Sequence, residues 1–98
     1  MQKTIRTKEV DAFFDAILTL ESKEEFYQFF EDICTNNEVV SIAQRFAVAK
    51  MLHEEKTYTE IAAETGASTA TISRVNRSLN TGNGSYEYIF ERLNKEEE

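Results

Sequence analysis

The chain has no proline, three glycines, one cysteine and one histidine in 98 residues. Each shortage excludes something. With so few residues that interrupt helices, and with abundant Ala, Glu, Lys and Leu, the composition predicts an all-α chain. The single cysteine, Cys34, excludes an internal disulfide framework and a multi-cysteine zinc site. One cysteine and one histidine assemble neither a common nucleophile pair nor a common metal cluster. No phosphate-binding loop is present either, so the sequence does not read as an enzyme. No apolar run approaches the ~20 residues of a membrane span. The N-terminus MQKTIRTKEVDAFF lacks the uninterrupted apolar stretch of a signal peptide. The expected compartment is therefore the cytoplasm, with no membrane partner. There is no internal repeat, low-complexity linker or strand-like alternation. The length suits one helical domain, of a size that oligomerisation would help to stabilise.

Net charge is −7, which taken alone argues against nucleic acid. The distribution reverses that reading. Residues 1–40 carry net −5, residues 41–80 net +1, and residues 81–98 net −3. Between Gly66 and Tyr86 there are two arginines and no acid. The first eight residues hold Lys3, Arg6 and Lys8, also without an acid. Recognition of DNA needs a local positive surface rather than a basic average.

Periodicity predicts six helices. Val10, Phe13, Phe14, Ile17 and Leu18 form one apolar stripe. Ser22 to Glu25 is a capping box that opens a second helix, whose apolar face is Phe26, Phe29, Phe30 and Ile33. Thr35 to Glu38 is another, opening a third helix through Val39, Ile42, Ala43, Phe46, Ala49 and Leu52. That wide apolar arc marks it as the central helix. Thr57 to Glu60 opens a short helix over 58–64, which Gly66 ends. Ser68 caps the next, over 69–79. Asn80 to Gly84 is a loop. Ser85 caps a last helix carrying Tyr86, Ile89, Phe90 and Leu93, and Lys95 to Glu98 is a frayed tail.

Residues 58–77 read as a helix-turn-helix, two helices joined by a short glycine-containing turn. Ala62 permits close approach of the helices, and Gly66 supplies the turn. Ile72, Val75 and Leu79 dock the second helix inward. Its outward face is Thr69, Ala70, Ser73, Arg74 and Arg77, small or hydrogen-bonding residues with two guanidinium forks. Such a face suits a major groove about 12 Å wide. N-terminal residues of a reading helix reach base edges. That assigns Thr69, Ala70 and Ser73 to bases, and Arg74 or Arg77 to phosphate or guanine. Ser68 and Thr71 belong to the same DNA-facing N-terminus. Thr57, at a helix start, can present backbone N–H groups to phosphate.

The run Ile-Ala-Ala-Glu-Thr-Gly-Ala-Ser-Thr-Ala-Thr-Ile-Ser-Arg-Val-Asn-Arg-Ser-Leu at 61–79 resembles the DNA-binding region of the Trp repressor family. The resemblance reaches back through Thr35 to Glu38 and Ala43 to Arg45, and forward to the last helix. It is strongest for the YerC/YecD subgroup, which shares the Ser-Thr-Ala-Thr-Ile-Ser-Arg run and a following Gly-Asn-Gly. It implies a six-helix fold and operator binding by an intertwined homodimer, dimerising through residues 8–53 and 85–94. Two-fold symmetry would set the reading helices about one DNA turn, ~34–36 Å, apart. In the family a co-repressor tryptophan lies between two arginines and near a serine, which match Arg45, Arg74 and Ser78. The residue after the second arginine is glycine in the repressor and Val75 here. A β-branched side chain there occupies ligand space, so the expectation is no cofactor or effector. Arg45 and Arg74 then make interface or phosphate contacts.

The remaining features have structural readings. Five of the seven phenylalanines fall in the first two helices, where they suit a domain core or the core of a dimer interface. Cys34 reads as a small buried hydrophobe. His53 offers favourable charge at a helix C-terminus. The basic arm Lys3, Arg6 and Lys8 could lie along DNA. The sequence thus predicts a dimeric transcriptional regulator, a repressor, that binds double-stranded DNA at a near-palindromic operator. Its acidic net charge supports one rival, a protein-interaction module on a helix-turn-helix scaffold.

Overall fold

A computed structural model describes residues 4–97. Six α-helices occur among them, and no strand: α1 (Lys8–Ile17), α2 (Lys23–Ile33), α3 (Asn36–His53), α4 (Tyr58–Thr65), α5 (Thr69–Thr81) and α6 (Ser85–Glu97). The chain divides into two compact units, Met1–Asn36 and Asn37–Glu98.

In the first unit, both helices start where a hydroxyl meets the orphan N–H groups of a first turn. Thr7 Oγ1 accepts from Val10 N–H at 3.2 Å and caps α1. Ser22 Oγ accepts from Glu25 N–H at 3.1 Å and caps α2. The return bond of this box lands one residue early, with Glu21 N–H donating to Glu25 Oε1 at 2.8 Å. Phenylalanines join the two helices. The Phe13 ring lies 6.0 Å from Phe29 and 6.4 Å, edge-on, from Phe30. Phe30 also packs edge-on to Phe29 at 5.7 Å and stacks with Phe26 at 6.3 Å. Yet no residue of α1 or α2 is buried. Leu18, expected on the apolar stripe, is instead the cap that ends α1 and is 82% exposed.

The second unit holds the core. Val48, Ala49 and Met51 of α3 meet Ile61 of α4, Ala67 of the turn, Ile72 and Val75 of α5, and Phe90 of α6. Phe46, Leu52, Ala62, Leu79 and Tyr86 pack around them. Phe90 is the aromatic hub, with ring centroids 5.5 Å from Phe46, 6.1 Å from Tyr86 and 5.0 Å from His53. α3 serves this core only through its second half. In its first half Val40 is 64% exposed and Ile42 56% exposed, so the wide apolar arc is not all core. Val48 and Met51, which the periodic reading passed over, are.

The loops are set by backbone geometry. Gly66 ends α4 at φ +73°, ψ 6°, and its N–H donates to Ala62 O at 2.9 Å. This left-handed cap is the one glycine supplies at least cost. Glu55 makes the same turn after α3, at φ +63°, without glycine's freedom. Two bonds complete its Schellman motif: Lys56 N–H to Met51 O and Glu55 N–H to Leu52 O, both 3.0 Å. Three expected ends shift. α5 runs to Thr81, two residues beyond the expected end. Ser85 is the first residue of α6 rather than its cap. The expected frayed tail is helical through Glu97, with Lys95 Nζ 3.5 Å from Glu91 Oε1 one turn back. Glu98 lies outside the described residues.

Candidate nucleic-acid interface

α4, the turn at Gly66 and α5 form a helix-turn-helix. Its angle is held by an unbroken chain of polar contacts. Thr65 Oγ1 donates to Ile61 O at 2.7 Å and accepts from Ala67 N–H at 3.1 Å. Gln44 Nε2, from α3, donates to Thr65 O at 3.0 Å and satisfies a carbonyl at the end of α4. The sequence reading missed both roles. A polar residue at position 44 within an apolar stretch was the available signal for Gln44. Beneath these bonds, Ile61 and Ala67 are buried with Ile72 and Val75, so the turn is clamped from its apolar side as well.

The face of α5 opposite Ile72 and Val75 carries most of the predicted site. Thr69, Ala70, Arg74 and Arg77 are exposed, and Ser73 is half-buried at the edge. Neither guanidinium has a hydrogen bond or ion pair among the described residues. The arginines are one helical turn apart, since residues three apart share a face. Ser68 and Thr71 are less free than expected. Ser68 Oγ accepts from Thr71 N–H and donates to Thr71 Oγ1, each at 3.1 Å. Their hydroxyls therefore build the start of α5, and the exposed residues that follow are left to present side chains outward. Thr57 is exposed, and its Oγ1 accepts from Glu60 N–H at 3.1 Å to cap α4.

The residues matched to an amino-acid pocket are spread differently. Arg45 is exposed and borders a shallow hollow with Asn37, Glu38, Ser41 and Ile42, all of α3. Arg74 and Ser78 are not part of that hollow, and Ser78 Oγ donates to Arg74 O at 3.3 Å. Val75 is 2% exposed, with its side chain in the core. Arg6 and Lys8 are exposed, at and just before the start of α1, while Lys3 lies outside the described residues. Cys34 is half-buried rather than buried. Among the described residues, no three His, Cys, Asp or Glu side chains converge as a metal site would require, and no helix is long and apolar enough to cross a membrane.

An all-α chain with a clamped helix-turn-helix and a cationic, hydrogen-bonding outer face defines a class: the helical helix-turn-helix proteins. Similarity to known proteins narrows it. The family model for the Trp repressor protein matches residues 8–94, and the chain belongs to that family. It is 55% identical over 93 residues to YerC of Bacillus subtilis (strain 168), an alignment covering 95% of this chain and 89% of YerC. Two solved structures share the fold. A TrpR-like protein from Eubacterium eligens ATCC 27750 superposes with TM-score 0.89 at 60% identity, over 92% of this chain and 93% of that one. A proposed Trp repressor from Staphylococcus aureus superposes with TM-score 0.88 at 57% identity, over 92% of this chain and 90% of that one.

Proposed function

We propose that the protein is a sequence-specific DNA-binding regulator without enzymatic activity, acting as a homodimer at a near-palindromic operator and repressing by occupying it. One observation carries the reading. In a chain of net charge −7, the stretch from Gly66 to Tyr86 has no acid, and both of its arginines, Arg74 and Arg77, stand exposed on α5. Thr69, Ala70 and Ser73 read base edges, Arg74 and Arg77 take guanine or phosphate, and the start of α4 at Thr57 takes backbone phosphate. Ser68 and Thr71 position α5 by capping it.

Two further observations support the details. Chains below about 40 residues seldom fold without help. The first unit spans Met1–Asn36, buries no residue of α1 or α2, and leaves Phe14, Phe26, Tyr27 and Ile33 exposed. A second copy covers these side chains, which makes the dimer. Val75 stands where the family's repressor has glycine and its side chain is part of the core, which supports DNA binding without tryptophan. Membership in the Trp repressor family supports a regulator over an enzyme.

The test is selection of bound duplexes from a random pool by the purified protein, at low and physiological salt, with and without tryptophan. A two-fold symmetric motif without ligand is expected. Enrichment only with tryptophan would overturn the effector-free reading. No enrichment in any arm would overturn effector-free binding and leave either a different effector or a protein-interaction module, the latter consistent with the acidic net charge.

A further inference from the structure

We propose that Asn83 is a site of spontaneous deamidation, and that its product withdraws the adjoining helix α5 from DNA. The second half rests on the DNA-binding reading above; the first does not. Of the six asparagines, Asn83 alone precedes a glycine. It is also the only one outside a helix: Asn36 and Asn37 lie in α3, Asn76 and Asn80 in α5, and Asn94 in α6. For Asn76, Asn80 and Asn94 the following amide is tied into the helix hydrogen-bond ladder, and the backbone holds it away from the asparagine side chain. Asn83 is exposed in the turn between α5 and α6. Gly84 N–H donates to no acceptor among the described residues. Gly84 is exposed at φ +80°, and no atom lies within 4 Å of where a Cβ would project, so the turn is open on that side.

The chemistry uses only the chain and water. The Gly84 amide nitrogen, losing its proton, bonds to Asn83 Cγ. The Cγ–Nδ2 bond breaks, and Nδ2 leaves as ammonia. Water then opens the cyclic imide. Cleavage between Cγ and nitrogen restores the peptide with an aspartyl side chain. Cleavage at the main-chain carbonyl leaves an isoaspartyl link, which lengthens the backbone by one carbon. No group is oxidised or reduced.

The position gives the event a consequence. Asn83 lines a hollow with Ser78 and Leu79 of α5 and with Ser85 and Glu87 of α6. Ser78 is exposed, and its hydroxyl donates to the Arg74 carbonyl. Either product puts a carboxylate into the acid-free stretch from Gly66 to Tyr86, just past the end of the helix that bears Arg74 and Arg77. It repels phosphate there. The isoaspartyl form also alters the turn that joins α5 to α6. DNA binding would therefore decay with the age of the molecule.

The full chain should be aged in warm, mildly alkaline buffer and digested with trypsin. Cleavage after Arg77 and Arg92 leaves residues 78–92 as one peptide that carries both Asn80 and Asn83. Fragmentation is expected to place the amide-to-acid conversion at Asn83, many-fold ahead of Asn80, with isoaspartate the larger product and none in Asn83→Gln. Equal conversion at the two positions would overturn the site. On the selected duplex, aged protein and fresh Asn83→Asp should bind several-fold more weakly than fresh parent, while aged Asn83→Gln keeps its affinity. Unchanged affinity on ageing would overturn the link to DNA and leave the site standing. If fresh parent binds no duplex at all, the DNA reading fails and the mass analysis still decides the site.

Discussion

Glu55 and Gly66 adopt nearly the same left-handed backbone, at φ +63° and φ +73°, and only one of them is glycine. For an L-residue that conformation costs roughly 1–2 kcal/mol, while glycine's extra unfolded-state freedom costs about 0.5–1 kcal/mol. Glu55→Gly should therefore stabilise the protein by up to about 1 kcal/mol. A higher urea midpoint at constant slope is the readout, and a lower midpoint would show that Glu55 makes a compensating contact. Gly66→Ala runs the other way. No atom lies within 4 Å of an added Cβ, so the cost is conformational strain alone, about 1–2 kcal/mol. Gly66 was legible in the sequence because a glycine between two helical patterns has few other uses. Glu55 was not, since nothing in His-Glu-Glu-Lys marks a left-handed residue.

α5 has a buried face and an exposed, arginine-bearing face, so its substitutions should separate two measurements. Ile72 is fully buried, and Ile72→Ala should cost about 2–5 kcal/mol. Arg74→Ala and Arg77→Ala remove exposed side chains that partner nothing among the described residues, and exposed changes of this kind stay within about ±0.5 kcal/mol. Both should keep the parent's melting temperature and bind duplex more weakly, with the salt slope of log K reduced by ~0.9 for each phosphate no longer neutralised. Equal duplex binding by both variants would show that α5 is not the reading helix. The starts of α4 and α5 and the turn between them were legible because Thr57, Gly66 and Ser68 each carry a capping mechanism in their own side chain or backbone, while the end of α5 was not. The core of α3 was legible only in part. Its apolar residues continue through Val40 and Ile42, but periodicity cannot say which turns of a helix have a neighbour to pack against. The hydroxyls of Ser68 and Thr71 show the same limit at the site. Their residue type suits both capping and DNA, and the observed bonds show the capping role.

At the scale of the whole molecule, apolar surface and charge point to different partners. Acidic groups dominate residues 1–40, which also carry the exposed aromatic face of α1 and α2. Exposed apolar patches of this kind mark association sites, and acidic surroundings disfavour contact with DNA. If a second copy covers it, Leu18 and Ile33, 82% and 52% exposed in the single chain, become interface residues. As mere surface positions, Leu18→Asp and Ile33→Asp would each change stability by no more than about 0.5 kcal/mol. As interface positions each buries a charge among apolar side chains, and the double variant should fall from dimer to monomer in sedimentation equilibrium. Its melting temperature should drop, because a dimer's stability is inseparable from protomer concentration, and the parent's should rise with concentration. Duplex affinity should fall with it, since one protomer holds one half-site and half the phosphate contacts. A parent that sediments as a monomer at every concentration, or a double variant that stays dimeric, would move the interface away from α1 and α2. Weakened DNA binding with the dimer intact would instead place these side chains on the DNA-facing surface, an arrangement that their acidic surroundings oppose.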